Sequence, residues 1–330
     1  MKSTASLAAF ALMLSAGGAL AADLPARKAP PLPPAPPPPL WSGFYVGLNA
    51  GYGFGGSNGV TTATSAWDQY ASTYFTTWAV PNLAGTFGAI QAANSGQGSA
   101  NLSGFAGGGQ IGYNYQWGSS VLIGLEADIQ GATMNGSGSY AGAAVDSYRM
   151  GRMNMPHADR QVFGYGNVQA SLDWFGTVRG RLGYLVTPTL LVYGTGGLTY
   201  GGATVNANYV SVTNWINTGM LNYPYSQTGF GSGNASTTLV GWNAGGGLEW
   251  LFTPNWSLKA EAFYYDLGNL TVQGYANTPA SGLPAQMGAV IGEAQGLFPH
   301  TRVNVNGVIA RAGVNYHFNW GASAPVIAKY

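Results

Sequence analysis

The chain has 330 residues, 52 of them glycine, with no cysteine, a net charge of +1 and only 7% charged residues. Ordinary soluble domains carry about 25%, so a soluble protein of this length would be poorly solvated. The near-neutral balance removes the electrostatic case for nucleic acid as a partner. The missing cysteines exclude a disulfide framework and thiol chemistry.

Residues 1–21 read as a secretory signal peptide. Lys2 supplies the positive n-region, Leu7–Leu14 the apolar core, and Ala19-Leu20-Ala21 a small-residue cleavage site. The apolar run is too short to span a bilayer, and no later stretch offers a long uninterrupted one. Residues 22–40 form a proline-rich spacer. Its run Ala29–Pro39 predicts polyproline II, a semi-rigid segment without internal hydrogen bonds, placed in the periplasm. A barrel is expected over 41–320 and a short periplasmic tail over 321–330.

From Trp41 onward the chain reads as four hairpins. The predicted strands are Gly43–Phe54, Phe105–Trp117, Val121–Met134, Leu172–Val186, Thr189–Gly201, Thr237–Phe252, Trp256–Leu267 and Val303–Phe318. The eighth is the clearest: Val308, Ala310, Ala312, Val314, Tyr316 and Phe318 share one face, and Arg311, Asn315 and His317 the other. Gly118-Ser119-Ser120, Thr187-Pro188 and Thr253-Pro254-Asn255 are tight turns, while 55–104, 135–171, 202–236 and 268–302 are read as long loops. An even number of alternating strands, short turns at one end and long loops at the other predict an all-β fold. The expected architecture is an eight-stranded antiparallel transmembrane β-barrel of the cell outer membrane, with four long extracellular loops, short periplasmic turns and both termini in the periplasm.

Aromatics gather at the predicted strand ends. Phe44, Tyr115, Trp117, Tyr184, Trp250, Phe252, Trp256, Tyr316 and Phe318 form a girdle on the periplasmic side. Tyr52, Phe54, Phe105, Trp174, Tyr200 and Tyr264 lie at the opposite ends. A β-sandwich core would hold aromatics without sorting them in this way.

With the apolar face outward, the inward set carries most of the charge of the barrel: Glu126, Asp128, Arg179, Arg181, Glu249, Lys259, Glu261 and Arg311. Neighbouring strands carry opposite signs, Glu126 and Asp128 against Arg179 and Arg181, Glu249 against Lys259, Glu261 against Arg311. An eight-stranded barrel is only wide enough for side chains to fill it, and buried charges there must pair. The belt reads as an ion-pair network closing the lumen, with a proton or ion path as the alternative.

Four stretches carry a family likeness: Ala22-Asp23-Leu24-Pro25 with Trp41–Gly53, Trp174–Tyr184, Pro254–Glu261 and Gly313–Phe318. Together they resemble the small outer-membrane surface antigens of alphaproteobacteria, the porin-like outer-membrane β-barrel family. The likeness covers the strands and not the long loops. It implies an abundant surface barrel contributing to envelope integrity and antigenicity, with porin activity attached by name. Barrel assembly usually reads a terminal strand ending in an aromatic residue. Phe318 is the expected signal, because Gly321–Tyr330 lacks strand alternation; Tyr330 is the alternative.

Few residues suggest other chemistry. Gly107–Gly112 matches the spacing of a dinucleotide-binding glycine motif without any βαβ context, so it is glycine within a strand. The three histidines have no nucleophile-elbow partner, and no enzyme activity is expected. Met150–His157 mixes Met and His and could ligate haem or a soft metal, or be a solvated loop. No cofactor or metal is assigned. Loops one and three are aromatic and nearly uncharged, with Trp67, Tyr70, Tyr74 and Trp78, then Tyr209, Trp215, Tyr223 and Tyr225. Such surfaces suit neutral glycans or host proteins, or simply pack on one another. The expected partners are outer-membrane lipid and lipopolysaccharide, the barrel-assembly machinery, and host or glycan ligands at the loops. The expected function is a structural, surface-exposed barrel with a filled lumen. A small-solute channel is the alternative, and an adhesin or haem- or glycan-binding barrel the third reading.

Overall fold

Strict two-residue alternation buries one face of a strand and exposes the other, and here it persists long enough to close a cylinder. The computed structural model describes residues 40–56, 58–68, 83–149, 157–217, 225–278 and 295–318. The signal peptide, the proline-rich spacer up to residue 39 and the tail therefore lie outside the described residues. The elements in chain order are β1 (Gly43–Gly55), β2 (Gly59–Asp68), α1 (Leu83–Ala93), β3 (Gly96–Ser99), β4 (Gly104–Trp117), β5 (Val121–Arg149), β6 (His157–Thr187), β7 (Leu190–Asn217), β8 (Tyr225–Leu251), β9 (Trp256–Gln273), β10 (Tyr275–Thr278) and β11 (Gln295–Phe318).

Eight of these strands form the wall in the order β1–β4–β5–β6–β7–β8–β9–β11, every pairing antiparallel. The last strand returns to the first, with Phe44 opposite Phe318 and Phe54 opposite Val308, so the cylinder has no free edge at this level. The three tight turns of the sequence reading sit together at one end.

The long loops need correction. Most of 135–171 and 202–236 is strand: β5 runs on to Arg149, β6 starts at His157, β7 continues to Asn217 and β8 begins at Tyr225. The 55–104 stretch holds β2, α1 and β3, and β11 begins eight residues before the predicted Val303. The β5 wall beyond Thr133 adds roughly 50 Å of strand, about 40 Å of height after a tilt of about 40°.

The two levels of this wall are built with opposite polarity. Near the turns, β5 points Val121, Ile123, Leu125 and Ile129 outward and buries Glu126, Asp128 and Gln130. Farther along the same strand Asn135, Ser137 and Ser139 face out, while Met134 and Tyr140 are buried. The change coincides with register shifts at Gly131/Met134, Leu172/Trp174 and Asn304/Asn306. On β6 the bulge leaves Asp173 and Trp174 both exposed. On β9 it uses Gly268, whose φ of +79° lies in the left-handed region that favours glycine.

The distal level has an apolar core of its own. Val162, Val168 and Leu172 from β6, Val205 from β7, Leu270 and Val272 from β9, and Val303 and Val305 from β11 meet inside it. Between β1 and β4 the chain adds β2 and β3 to the distal wall beside β11, with Thr61, Ala63 and Ser65 exposed on its outer face, and α1 packs into this space. β2 pairs with the distal half of β11, and α1 buries Ile90 and Ala93. Asn94 ends the helix by donating Nδ2 to the Ile90 carbonyl at 2.9 Å and to Ser211 Oγ at 3.1 Å. The Asn94 carbonyl accepts from Thr64 at 2.6 Å and Tyr140 at 3.3 Å. Burial pushes the Tyr140 hydroxyl up to about 12. Gly142 and Gly164 permit this approach, since a Cβ at either would lie within 2.4 Å and 2.2 Å of the Ala93 carbonyl.

Candidate functional site

The inward side chains of the proximal barrel form three layers along its axis. At the turn end lies an apolar floor of Trp41, Leu122, Leu185, Leu191, Tyr193 and Leu251. Trp41 precedes β1, yet its indole N–H donates to the Pro188 carbonyl at 3.0 Å. Pro188 sits in the β6–β7 turn, on the opposite wall in the strand order. One side chain therefore spans the mouth. Its ring stands edge-on to His317, centroids 5.7 Å apart.

The charge belt lies above this floor. Glu126, Asp128, Glu249 and Glu261 face Arg179, Arg181, Lys259 and Arg311, four acids and four bases, each at most 5% exposed. Glu126 is the hub. It accepts from Arg179, from Lys259 Nζ at 2.7 Å on both oxygens, and from the Tyr45 hydroxyl at 2.6 Å. Arg311 bridges Asp128 at 2.7 Å and Glu261 at 2.5 Å, and Arg179 adds Asp128 at 3.2 Å and Glu261 at 3.1 Å. Arg181 takes Glu249 at 2.5 Å and the Tyr45 hydroxyl at 2.8 Å.

All eight predicted belt residues are thus brought together, but one predicted partnership changes. Glu249 is in register with Lys259, yet Lys259 reaches Glu126 and Glu261 while Glu249 is held by Arg181. In so narrow a cylinder side chains point at the axis, so partners across the lumen compete with partners on the next strand.

Uncharged groups complete the network. Gln110 receives Asn49 Nδ2 at 2.9 Å and donates to Asn315 at 2.5 Å, and Asn315 donates to Glu249 at 2.6 Å. Tyr193 donates to Glu261 at 2.8 Å. The Arg181 guanidinium lies 4.1 Å from the Tyr193 ring centroid. Arg179 and Arg311 lie 4.9 Å and 5.0 Å from that of Phe263. Phe263 also belongs to the distal core, so it roofs the belt. Sequence reasoning passed over Trp41, Tyr45, Tyr193 and Phe263. Inward parity was the available signal for the last three; Trp41 precedes the first strand and had none.

Ser257, His317 and Glu249 form a Ser–His–acid cluster that the sequence did not suggest. Ser257 Oγ lies 2.9 Å from His317 Nε2 and donates to Glu249 at 2.6 Å, while Glu249 also lies 3.3 Å from the same Nε2. A relay needs acid and nucleophile on different ring nitrogens. All three groups are buried, and Trp41 packs edge-on against His317.

The girdle residues lie on the outer face near the turns. Phe44, Tyr115, Trp117, Tyr184, Trp250, Phe252 and Trp256 are exposed, and Tyr316 and Phe318 half-buried. Trp256, Tyr316 and Phe318 interlock, with centroids 5.1 Å apart at each step. Of the aromatic loop residues, Tyr209 is not a surface group: it is 5% exposed, 2.9 Å from Thr301. Trp67, Trp215 and Tyr225 fall on β2, β7 and β8. Tyr70, Tyr74, Trp78, Tyr223 and Met150–Pro156 lie outside the described residues, which leaves His157 at the start of β6.

No family model matches the chain. It is 30% identical over 314 residues to the 31 kDa outer-membrane immunogenic protein of Brucella melitensis, an alignment covering 94% of this chain and 98% of that protein. It is 29% identical over 161 residues to a 22 kDa outer membrane protein of Rhizobium leguminosarum, covering 48% of this chain and 52% of the other. Among solved structures, the outer membrane protein OprG of Pseudomonas aeruginosa aligns with 84% of this chain and 96% of its own, at 10% identity and a TM-score of 0.30.

Proposed function

Because this chain belongs to the family of the 31 kDa outer-membrane immunogenic proteins and is a surface-exposed outer-membrane β-barrel, we propose that it is a closed structural barrel which raises a rigid, antigenic wall above the bilayer. The observation that carries this reading is the stacking inside the cylinder. An apolar floor, a charge-balanced belt and an apolar core follow one another along the axis. A solute path would need continuous polar, unpaired space, and the belt groups instead spend their charges on one another.

The outward apolar side chains on the proximal strands span the 9–11 residues that a bilayer-crossing strand requires. The girdle then sits at the periplasmic interface, with the start of β1, the end of β11 and the short turns in the periplasm. Phe318 closes β11 at that level as the assembly signal. The distal half stands outside the cell, where a buried apolar core and a polar exterior are the stable arrangement.

Conductance of the mature, refolded barrel in a planar bilayer tests the closed lumen. Silence from protein whose fold is verified by heat-modifiable gel mobility is the expected result. Steady unitary currents would overturn it and make the belt an ion path.

A further inference from the structure

The distal wall carries a band of side chains whose composition neither folding nor solubility requires. Asn135, Ser171, Thr204 and Ser236 lie abreast across β5, β6, β7 and β8. One step higher the row is Ser137, Gln169, Asn206 and Asn234, and above it Ser139, Asn167, Asn208 and Ser232. Every position faces outward and is exposed or half-buried. None is charged and none is a large apolar group. Protein surfaces ordinarily keep about 25–35% of their residues charged for solubility, so a patch of this size with amides and hydroxyls alone is not a generic solvated face.

The patch has relief and a frame. A groove of about 830 Å³ runs over its β5–β6–β7 side, lined by Asn135, Ser137, Gln169, Ser171 and Asn206, with Ser99 and Asn101 on its rim. Aromatics border it. Exposed Trp174 and half-buried Tyr200 lie on the membrane side, and exposed Tyr165 and Phe230 in the next row outward.

We propose that this lattice is a binding site for neutral, polyhydroxylated saccharide chains. Amide side chains both donate and accept, as do hydroxyls, so they match a sugar's hydroxyls in either direction. Omitting charge avoids the desolvation cost that a buried ion would impose when a neutral ligand covers it. The framing aromatics present flat apolar faces to the C–H side of sugar rings. The site lies immediately above the apolar outer band. The same chemistry is therefore offered by the saccharides of the outer leaflet beside it and by free glycans. The inference rests on the distal wall standing outside the bilayer, but not on the lumen being closed.

The test is titration of folded barrel in detergent with an uncharged dextran hexasaccharide, and separately with an anionic heparin hexasaccharide. Saturable binding of dextran in preference to heparin is expected. The triple variant Asn135→Ala/Gln169→Ala/Asn206→Ala should weaken it at least about tenfold. The control Asn269→Ala/Thr271→Ala/Gln273→Ala, exposed on β9, should change it less than about twofold. No saturable dextran binding by verified folded protein, a preference for heparin, or equal losses in both variants would overturn the proposal. Repeating the titration in nanodiscs separates the two sources. Loss of dextran binding only in discs carrying full-length lipopolysaccharide marks the neighbouring leaflet as the ligand, and equal binding in both discs marks free glycans. A conducting barrel that still binds dextran would sink the closed lumen alone, and a silent barrel that does not would sink the lattice alone.

Discussion

In the proximal barrel the inward positions carry Glu126, Arg179, Lys259 and their partners, and the outward positions Ile129, Leu125 and Leu182. In the distal barrel the inward positions carry Val168, Leu172 and Val205, and the outward positions Ser137, Gln169 and Asn206. β5, β6, β7 and β8 run through both and keep their mutual pairing, whereas distally β11 exchanges β1 for β2 and β8 exchanges β9 for β10. On the proposed placement in the membrane, what changes is the solvent on the outside. Where the wall faces lipid it must be apolar, and the polar groups retreat to the lumen and pair. Where it faces water the ordinary hydrophobic core returns. β5 crosses both regimes without interruption, so the switch is written in side chains rather than in backbone, and the bulges on β6 and β9 only adjust the phase.

The comparison breaks most visibly at its charged centre. Glu126→Gln leaves Arg179 and Lys259 buried without their shared carboxylate, a loss of about 3–5 kcal/mol by the cost of breaking a buried pair. Urea titration followed by gel mobility reads it. The double variant Glu126→Met/Lys259→Met should recover most of that loss, because removing both members spares the uncompensated charge. The distal core responds differently. Leu172→Ala, in a fully buried position, should cost about 2–5 kcal/mol. The damage should appear as protease sensitivity of the distal wall while the proximal barrel keeps its heat-modifiable mobility. Simultaneous loss of both signals would show one cooperative unit rather than two levels.

How much of this the sequence carried follows from the same contrast. On β11 apolar and polar residues alternate sharply, and the strand was legible to the residue at its Phe318 end. Parity together with the three tight turns gave the eight strands and their order, and parity placed all eight belt residues inward. The distal extensions were missed because Asn135-Gly136-Ser137-Gly138-Ser139 alternates polar with glycine, a composition shared with turns. Glycine is inward there because β3 and the segment after it press against β5: a Cβ at Gly138 would lie 2.4 Å from the Ser99 carbonyl. The reason for those residues is therefore a contact between segments far apart in sequence. The exchange of partners by Lys259 and Glu249 was likewise invisible, since parity places a charge in the lumen without saying which wall it reaches.

Matched outward substitutions sharpen the polarity switch. Ile129→Arg puts a cation on the apolar band and should cost about 2–4 kcal/mol if it lies at mid-bilayer depth. Ser137→Arg, farther up the same strand and also outward, should stay within about 0.5 kcal/mol. Refolding yield into lipid vesicles compares them, and equal penalties would mean that the bilayer does not end between residues 129 and 137.

The smallest expected effect bears on the floor. Trp41→Phe keeps an aromatic plug over His317 but removes the N–H that reaches Pro188 across the mouth. One net hydrogen bond is worth about 1 kcal/mol, and the apolar contacts with Leu122, Leu185 and Leu251 largely persist. The global transition should then move little. Exchange of the backbone amides around the floor, read by mass spectrometry at the start of β1 and the end of β6, should instead speed up locally. Unchanged exchange would mean that packing alone seats the indole. A large global loss would mean that this single bond ties opposite walls of the barrel together, making the residue before the first strand a clamp rather than a plug.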